Sequence, residues 1–178
     1  MEMMIQQLIN GLFLGSIYAL LALGYTMVYG IIKLINFAHG EVYMIGSFIG
    51  YFLINQWNLG FFPALFISMI ASAALGVTIE FLAYRPLRNS TRISALITAI
   101  GVSYLLQNVM IFFFSPDVRP FPQAIARKTY SIGFVEVSNI QLLILAVSLA
   151  LMILLQLIVK KTRMGKAMRA VSVDADAA

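Results

Sequence analysis

Long runs of apolar residues, broken by short polar stretches, follow one another along this sequence of 178 residues. The runs show neither the three- to four-residue spacing of an amphipathic helix nor the strict alternation of a half-buried strand. Runs of roughly 18 or more apolar residues are typical of helices that cross a membrane. Four runs reach that length, at residues 5–32, 61–84, 93–114 and 140–159. The pattern predicts an all-α fold, that of a polytopic helical membrane protein.

A further apolar run, residues 42–54, is too short to cross a membrane unaided. As a helix it would measure roughly 20 Å, against a hydrocarbon core of about 30 Å. It crosses only if the polar segment Asn36–Glu41 also enters the membrane zone, which gives a span over residues 37–54. We therefore predict about five transmembrane helices, with polar residues near membrane depth at the start of the second.

The longest polar stretch, residues 115–139, is predicted to form a small extracytoplasmic loop. Its three prolines end helices. Apolar and polar residues then alternate from Tyr130 to Val137 around Gly133, a pattern typical of a β-hairpin. The alternative is a plain connector, although connections between helices usually contain about 2–8 residues.

Composition and charge support a membrane protein and set its orientation. The chain is 61% hydrophobic and 11% charged, whereas soluble domains average about 25% charged residues. Its 12 basic and 7 acidic residues give a net charge of +5, and most basic residues stand between or after the apolar runs. Basic residues there mark the cytoplasmic side of a membrane rather than a nucleic-acid site. Residues 1–159 are thus predicted to form a transmembrane domain with its N-terminus outside, and residues 160–178 a cytoplasmic segment.

The polar start of the second span holds the first candidate site residues, Asn36, His39, Gly40 and Glu41. Polar groups at membrane depth are costly unless they face a cavity or a partner. An interrupted helix can direct free backbone N–H groups toward an anionic substrate group. Alternatively, Asn36 and Glu41 cap and start the helix at the cytoplasmic surface.

Gln107 and Asn108 are the other candidate pathway residues, because two adjacent amides are hard to place in lipid. Either amide can instead bond its own helix backbone. Gly11, Gly15 and Ala19 form a small-residue stripe suited to close helix packing. The sequence has no cysteine and one histidine, so we expect no metal site and no cofactor.

Several segments resemble the permeases of high-affinity branched-chain amino acid ABC importers, of the LivH type. They are LFLGSIYALLALGYTMVYG at 12–30, INFAHGE at 35–41, MIG at 44–46, YRPLR at 84–88, LITAIGVS at 96–103 and TRMGKAMRA at 162–170. The resemblance implies a multi-pass subunit of the bacterial inner membrane that imports leucine, isoleucine or valine. It further implies a second permease subunit, two cytoplasmic ATPase subunits that hydrolyse ATP, and a periplasmic amino-acid-binding protein. It also suggests that the chain is the N-terminal portion of a longer subunit.

The resemblance places the start of an ATPase coupling loop in the basic segment after residue 160. The residues that it assigns to coupling are Gly165, Arg169, Ala170, Asp174 and Asp176. By residue pattern alone, this segment is a solvated tail that fixes topology.

Three alternative functions stay open at this point, and one of them is an uncoupled channel or carrier that moves amino acids without ATP. Similar permeases import urea or short amides. From a different class, an intramembrane hydrolase would pair His39 with a serine, although the sequence has neither a Gly-x-Ser-x-Gly elbow nor a phosphate-binding Gly-x-x-x-x-Gly-Lys-Ser/Thr loop.

Overall fold

The computed structural model describes residues 2–32, 36–87, 90–122, 125–132 and 135–173. Their helices and strands follow in chain order: α1 Glu2–Ile32, α2 His39–Asn55, α3 Phe61–Ile79, α4 Arg92–Phe114, β1 Thr129–Ile132, β2 Val135–Ser138, α5 Asn139–Lys161 and α6 Arg163–Val173. A π-helical segment, Glu80–Tyr84, and a 3₁₀ turn, Arg85–Leu87, extend α3. Helices and one hairpin make up the regular structure of these residues, as the apolar pattern predicts.

Four helices in the described residues are long and apolar enough to cross a membrane. They cover Met3–Gly30, Phe61–Leu87, Ile93–Phe114 and Asn139–Lys161. The predicted second span corresponds to α2, which has 17 residues and so measures about 25 Å. Four of the five predicted spans are therefore long enough, and a membrane crossing by α2 stays a prediction.

One compact unit of the chain comprises residues 1–33 and 125–178. In it, α1 lies along α5, and α6 contacts both helices. The predicted hairpin is confirmed: β1 and β2 pair antiparallel, with Thr129 opposite Ser138 and Ile132 opposite Val135. Gly133, which we expected at the turn, lies outside the described residues.

Amide side chains fasten this hairpin to the two long helices. The Gln6 amide of α1 both donates to the Glu136 carbonyl and accepts from the Glu136 N–H, each at 2.9 Å. Asn10 Oδ1 accepts from Gln6 and from Gln141 of α5. Ser138 and Gln141 form a capping box at the start of α5, which satisfies two of its free backbone donors.

The second unit, residues 34–124, contains α2, α3 and α4. Small residues bring α2 and α3 together, since a Cβ at Gly46 would collide with Ser72 Oγ and one at Gly50 would lie 3.2 Å from Ser68 Oγ. Small residues four positions apart allow this close approach between helices. The predicted stripe on α1 differs, because a Cβ at Gly11 or Gly15 would meet open space.

Candidate functional site

The polar segment before α2 forms a tight turn. The His39 N–H donates to the Asn36 carbonyl at 3.2 Å, and the Val42 N–H donates to the carbonyl of Ala38, the N-cap residue, at 3.0 Å. Ala38 is fully buried and makes no side-chain cap. Neither Asn36 nor Glu41 therefore caps α2, and both side chains are available for other contacts.

Asn36 contacts the π-helical segment instead. Its Oδ1 accepts a hydrogen bond from the Tyr84 hydroxyl at 2.8 Å, and both residues are half-buried. A π-helical turn rotates the residues after it relative to an α-helix, and such turns are frequent at functional sites. Arg85, the next residue, holds its guanidinium 5.2 Å from the centre of the Phe81 ring. The π-helical segment thus brings one predicted site residue into contact with a tyrosine that the sequence did not single out.

Glu41 joins the first turn of α2 to the middle of α4. Ser103 Oγ donates to Glu41 Oε1 at 3.1 Å, and both residues are half-buried. A carboxylate in an apolar helix needs such a donor because an unpaired buried charge is costly. This bond ties α2 to α4 about one helical turn before Met44 and Gln107.

The same two helices line a cavity farther along their length. Gln107 follows Ser103 by one helical turn, and Met44 and Phe48 follow Glu41 along α2. The cavity has a volume of about 410 Å³. Its lining comprises Met44, Ser47, Phe48, Tyr51, Gln107, Met110, Ile111, Ser115, Pro116, Asp117, Val118, Arg119 and Phe121. We call this space the α2–α4 cavity.

The side chains of the two adjacent amide residues of α4 point in different directions. Gln107 lines the α2–α4 cavity, whereas Asn108 Nδ2 donates to the Tyr104 carbonyl of its own helix at 2.7 Å. Neighbouring residues on a helix point about 100° apart, so only one of a pair can face a given groove. The structure therefore brings Gln107, but not Asn108, to the α2–α4 cavity.

His39 and Gly40 lie in the first turn of α2. His39 is half-buried, and Gly40 is exposed with open space where a Cβ would stand. Ser103 donates to Glu41 rather than to His39, so this serine is not arranged as a nucleophile with the histidine as its base. Within the described residues, no group of three or more His, Asp or Glu side chains could hold a metal ion.

The predicted coupling residues divide into two groups. Gly165 is buried where a Cβ would collide with the carbonyl oxygens of Ile158 and Val159. Arg169 donates to the Gly165 and Lys160 carbonyls at 3.4 and 3.3 Å. These two residues fix α6 against the end of α5, where a cation also suits the helix dipole.

Ala170, by contrast, is exposed on α6. Asp174 and Asp176 lie outside the described residues. Within residues 160–173 of this segment, the exposed face of α6 is a surface that a partner can reach.

Comparison with known proteins gives consistent matches. The family model described as "Branched-chain amino acid transport system / permease component" matches residues 7–178. The chain is 42% identical to the high-affinity branched-chain amino acid transport system permease protein BraD of Pseudomonas aeruginosa. It is 43% identical to the permease proteins LivH of Salmonella typhimurium and of Escherichia coli. Each match covers 96% of this chain and 59% of the relative's own length. No solved structure matches the chain significantly.

Proposed function

Because the chain belongs to the family of permease components of branched-chain amino acid transport systems, we propose that it forms part of the path by which leucine, isoleucine and valine cross the bacterial inner membrane. The activity is transport and not catalysis. The energy comes from ATP hydrolysis on two cytoplasmic partner subunits, with a second permease subunit and a periplasmic binding protein completing the system. The family match supports a permease role within a branched-chain amino acid transport system of several components.

The space between α2 and α4, from Glu41 to the α2–α4 cavity, is the proposed part of the pathway in this chain. The observation that carries the proposal is the Glu41–Ser103 hydrogen bond, which sets a carboxylate and a hydroxyl between two apolar helices about one turn before Met44 and Gln107, which line that cavity. Polar side chains in membrane segments commonly face a substrate path or a partner. The start of this space is lined by Asn36, His39 and Gly40, and the wall of its cavity includes Gln107.

We place α6 on the cytoplasmic side as the first part of the segment that contacts an ATPase. Gly165 and Arg169 position this helix, and its exposed face, which includes Ala170, makes the contact. Asp174 and Asp176 extend the contact along the chain. This orientation follows from the basic residues around α6, which favour the cytoplasmic side.

The test is uptake of radiolabelled leucine into proteoliposomes that contain the chain, the second permease and the ATPases, with binding protein outside. We expect uptake that requires both ATP and the binding protein. Ser103→Ala should reduce uptake several-fold, whereas Ser16→Ala, whose hydroxyl bonds its own helix at the Phe13 carbonyl, should not. Excess urea should leave leucine uptake unchanged.

Three outcomes would contradict this proposal. Leucine flux without ATP indicates an uncoupled carrier. Inhibition by urea indicates a permease for short amides. Peptide cleavage that His39→Ala abolishes indicates a hydrolase.

A further inference from the structure

The α2–α4 cavity combines an apolar wall with a charged rim. Its wall includes Phe48, Met110 and Ile111. Its rim carries Asp117 and Arg119, a carboxylate and a guanidinium separated by one residue. Small-molecule sites typically enclose about 300–1,000 Å³ and place a few polar groups on a largely apolar surface. A cavity of about 410 Å³ suits a small ligand of that kind.

The apolar wall is held in place by aromatic contacts. The Phe114 ring at the end of α4 lies 5.8 Å from Phe48 and 4.8 Å from Phe52, measured between centroids. Tyr51 meets Phe121 edge to face at 6.5 Å. Such pairs stabilise a packed arrangement beyond simple burial. The wall is therefore formed before any ligand arrives.

The charged rim is turned toward the cavity by the backbone at the end of α4. Ser115 has φ 62° and ψ 156°, a conformation that is essentially restricted to glycine. It reverses the chain so that residues 115–119 line the cavity. Arg119 Nη2 donates to the Phe114 carbonyl at 2.7 Å, which anchors a guanidinium that has five N–H donors in all. Backbone strain of this kind is concentrated at ligand-binding positions.

We propose that the α2–α4 cavity binds a free zwitterionic amino acid with an apolar side chain. Arg119 contacts its carboxylate, Asp117 contacts its ammonium group, and its side chain lies against Met110 and Phe48. Opposite charges on the two rim residues match the two charges of a zwitterion, and charge-assisted hydrogen bonds give such recognition its strength. This inference rests on the proposed transport function and assigns a substrate site within it.

Equilibrium binding of radiolabelled leucine to the full chain in lipid nanodiscs tests the site. We expect saturable binding that weakens about tenfold or more in Arg119→Gln and is unchanged in Arg127→Gln, an exposed arginine outside the cavity. Met110→Trp should fill the cavity and abolish binding, whereas Leu105→Trp, on an exposed part of α4, should not. Arg119→Gln alters only an exposed side chain, so its result holds even if Met110→Trp fails to fold.

Ligand analogues test the chemistry of recognition. We expect 4-methylpentanoate, which lacks the ammonium group, and 3-methylbutylamine, which lacks the carboxylate, each to compete about tenfold or more weakly than leucine. Glycine, which lacks the apolar side chain, should also compete poorly. Equal competition by leucine and either analogue would overturn the zwitterion assignment, as would unchanged leucine binding in both Arg119→Gln and Met110→Trp.

The uptake assay separates failure of this site from failure of the transport function. Leucine uptake without measurable binding in nanodiscs, or full uptake by Met110→Trp, would overturn the site and leave transport intact. Absence of both binding and uptake in the unaltered protein would overturn both proposals.

Discussion

Gln6 and Gln107 serve two different purposes in the two compact units of this chain. In residues 1–33 with 125–178, Gln6, Asn10 and Gln141 bond one another and the hairpin backbone. In residues 34–124, Gln107 instead faces the open α2–α4 cavity. A closed network of hydrogen bonds specifies structure, whereas an amide on a cavity wall is free to bind a ligand. Substitutions in the first unit should therefore change stability, and substitutions around the cavity should change binding and transport.

The strongest test of this difference is Gly165→Ala. The added Cβ would collide with two backbone carbonyls at the end of α5, which cannot move without breaking the helix. We expect a loss of about 3 kcal/mol in the free energy of unfolding, at the upper end for overpacking. Equilibrium unfolding in mixed micelles measures it. Gly15→Ala in the same unit is the control, since its Cβ meets open space, and it should not destabilise.

The two units can be compared directly through the unfolding free energies of Gln6→Ala and Gln107→Ala. Loss of the Gln6 amide removes its bonds to both backbone groups of Glu136 and to Asn10. We expect it to cost about 2 kcal/mol of unfolding free energy. Gln107→Ala should change that free energy by less than about 0.5 kcal/mol, as at an exposed site, and should reduce leucine uptake. Equal destabilisation by the two variants would show that the distinction is wrong.

The Glu41–Ser103 hydrogen bond allows effects on stability and on uptake to be compared at one pair of side chains. Ser103→Ala and Glu41→Gln, measured singly and together, isolate the pairwise coupling free energy. We expect about 1 kcal/mol of coupling in unfolding and a non-additive loss of uptake. Thr78→Val is a suitable control, because the Thr78 hydroxyl bonds the Ala74 carbonyl of its own helix. Additive effects on both readouts would indicate that the two side chains act independently.

The sequence predicts the helices and the hairpin better than it predicts the site. Apolar runs fix where helices lie because a long apolar segment has few alternatives to a membrane helix. Which face of a helix meets a neighbour depends on tertiary packing. The sequence therefore identified the Gly11 stripe rather than Gly46 and Gly50, and it did not separate Gln107 from Asn108. The π-helical turn that brings Tyr84 to Asn36 has no recognised sequence signal.

A small gain in stability is expected at Ser115, the strained residue beside the cavity. Ser115→Gly relieves a positive φ of 62° that costs a non-glycine residue about 1–3 kcal/mol, while glycine loses roughly 0.5–1 kcal/mol more chain entropy. We expect a net gain of about 1 kcal/mol in unfolding free energy from these opposing terms. Because glycine adopts the same positive-φ backbone without strain, Asp117 and Arg119 should stay at the rim and leucine binding should be unchanged. A more stable protein with unchanged binding would show that the backbone conformation, and not its strain, serves the cavity, whereas weaker binding would show that the strained serine itself is needed to hold the rim.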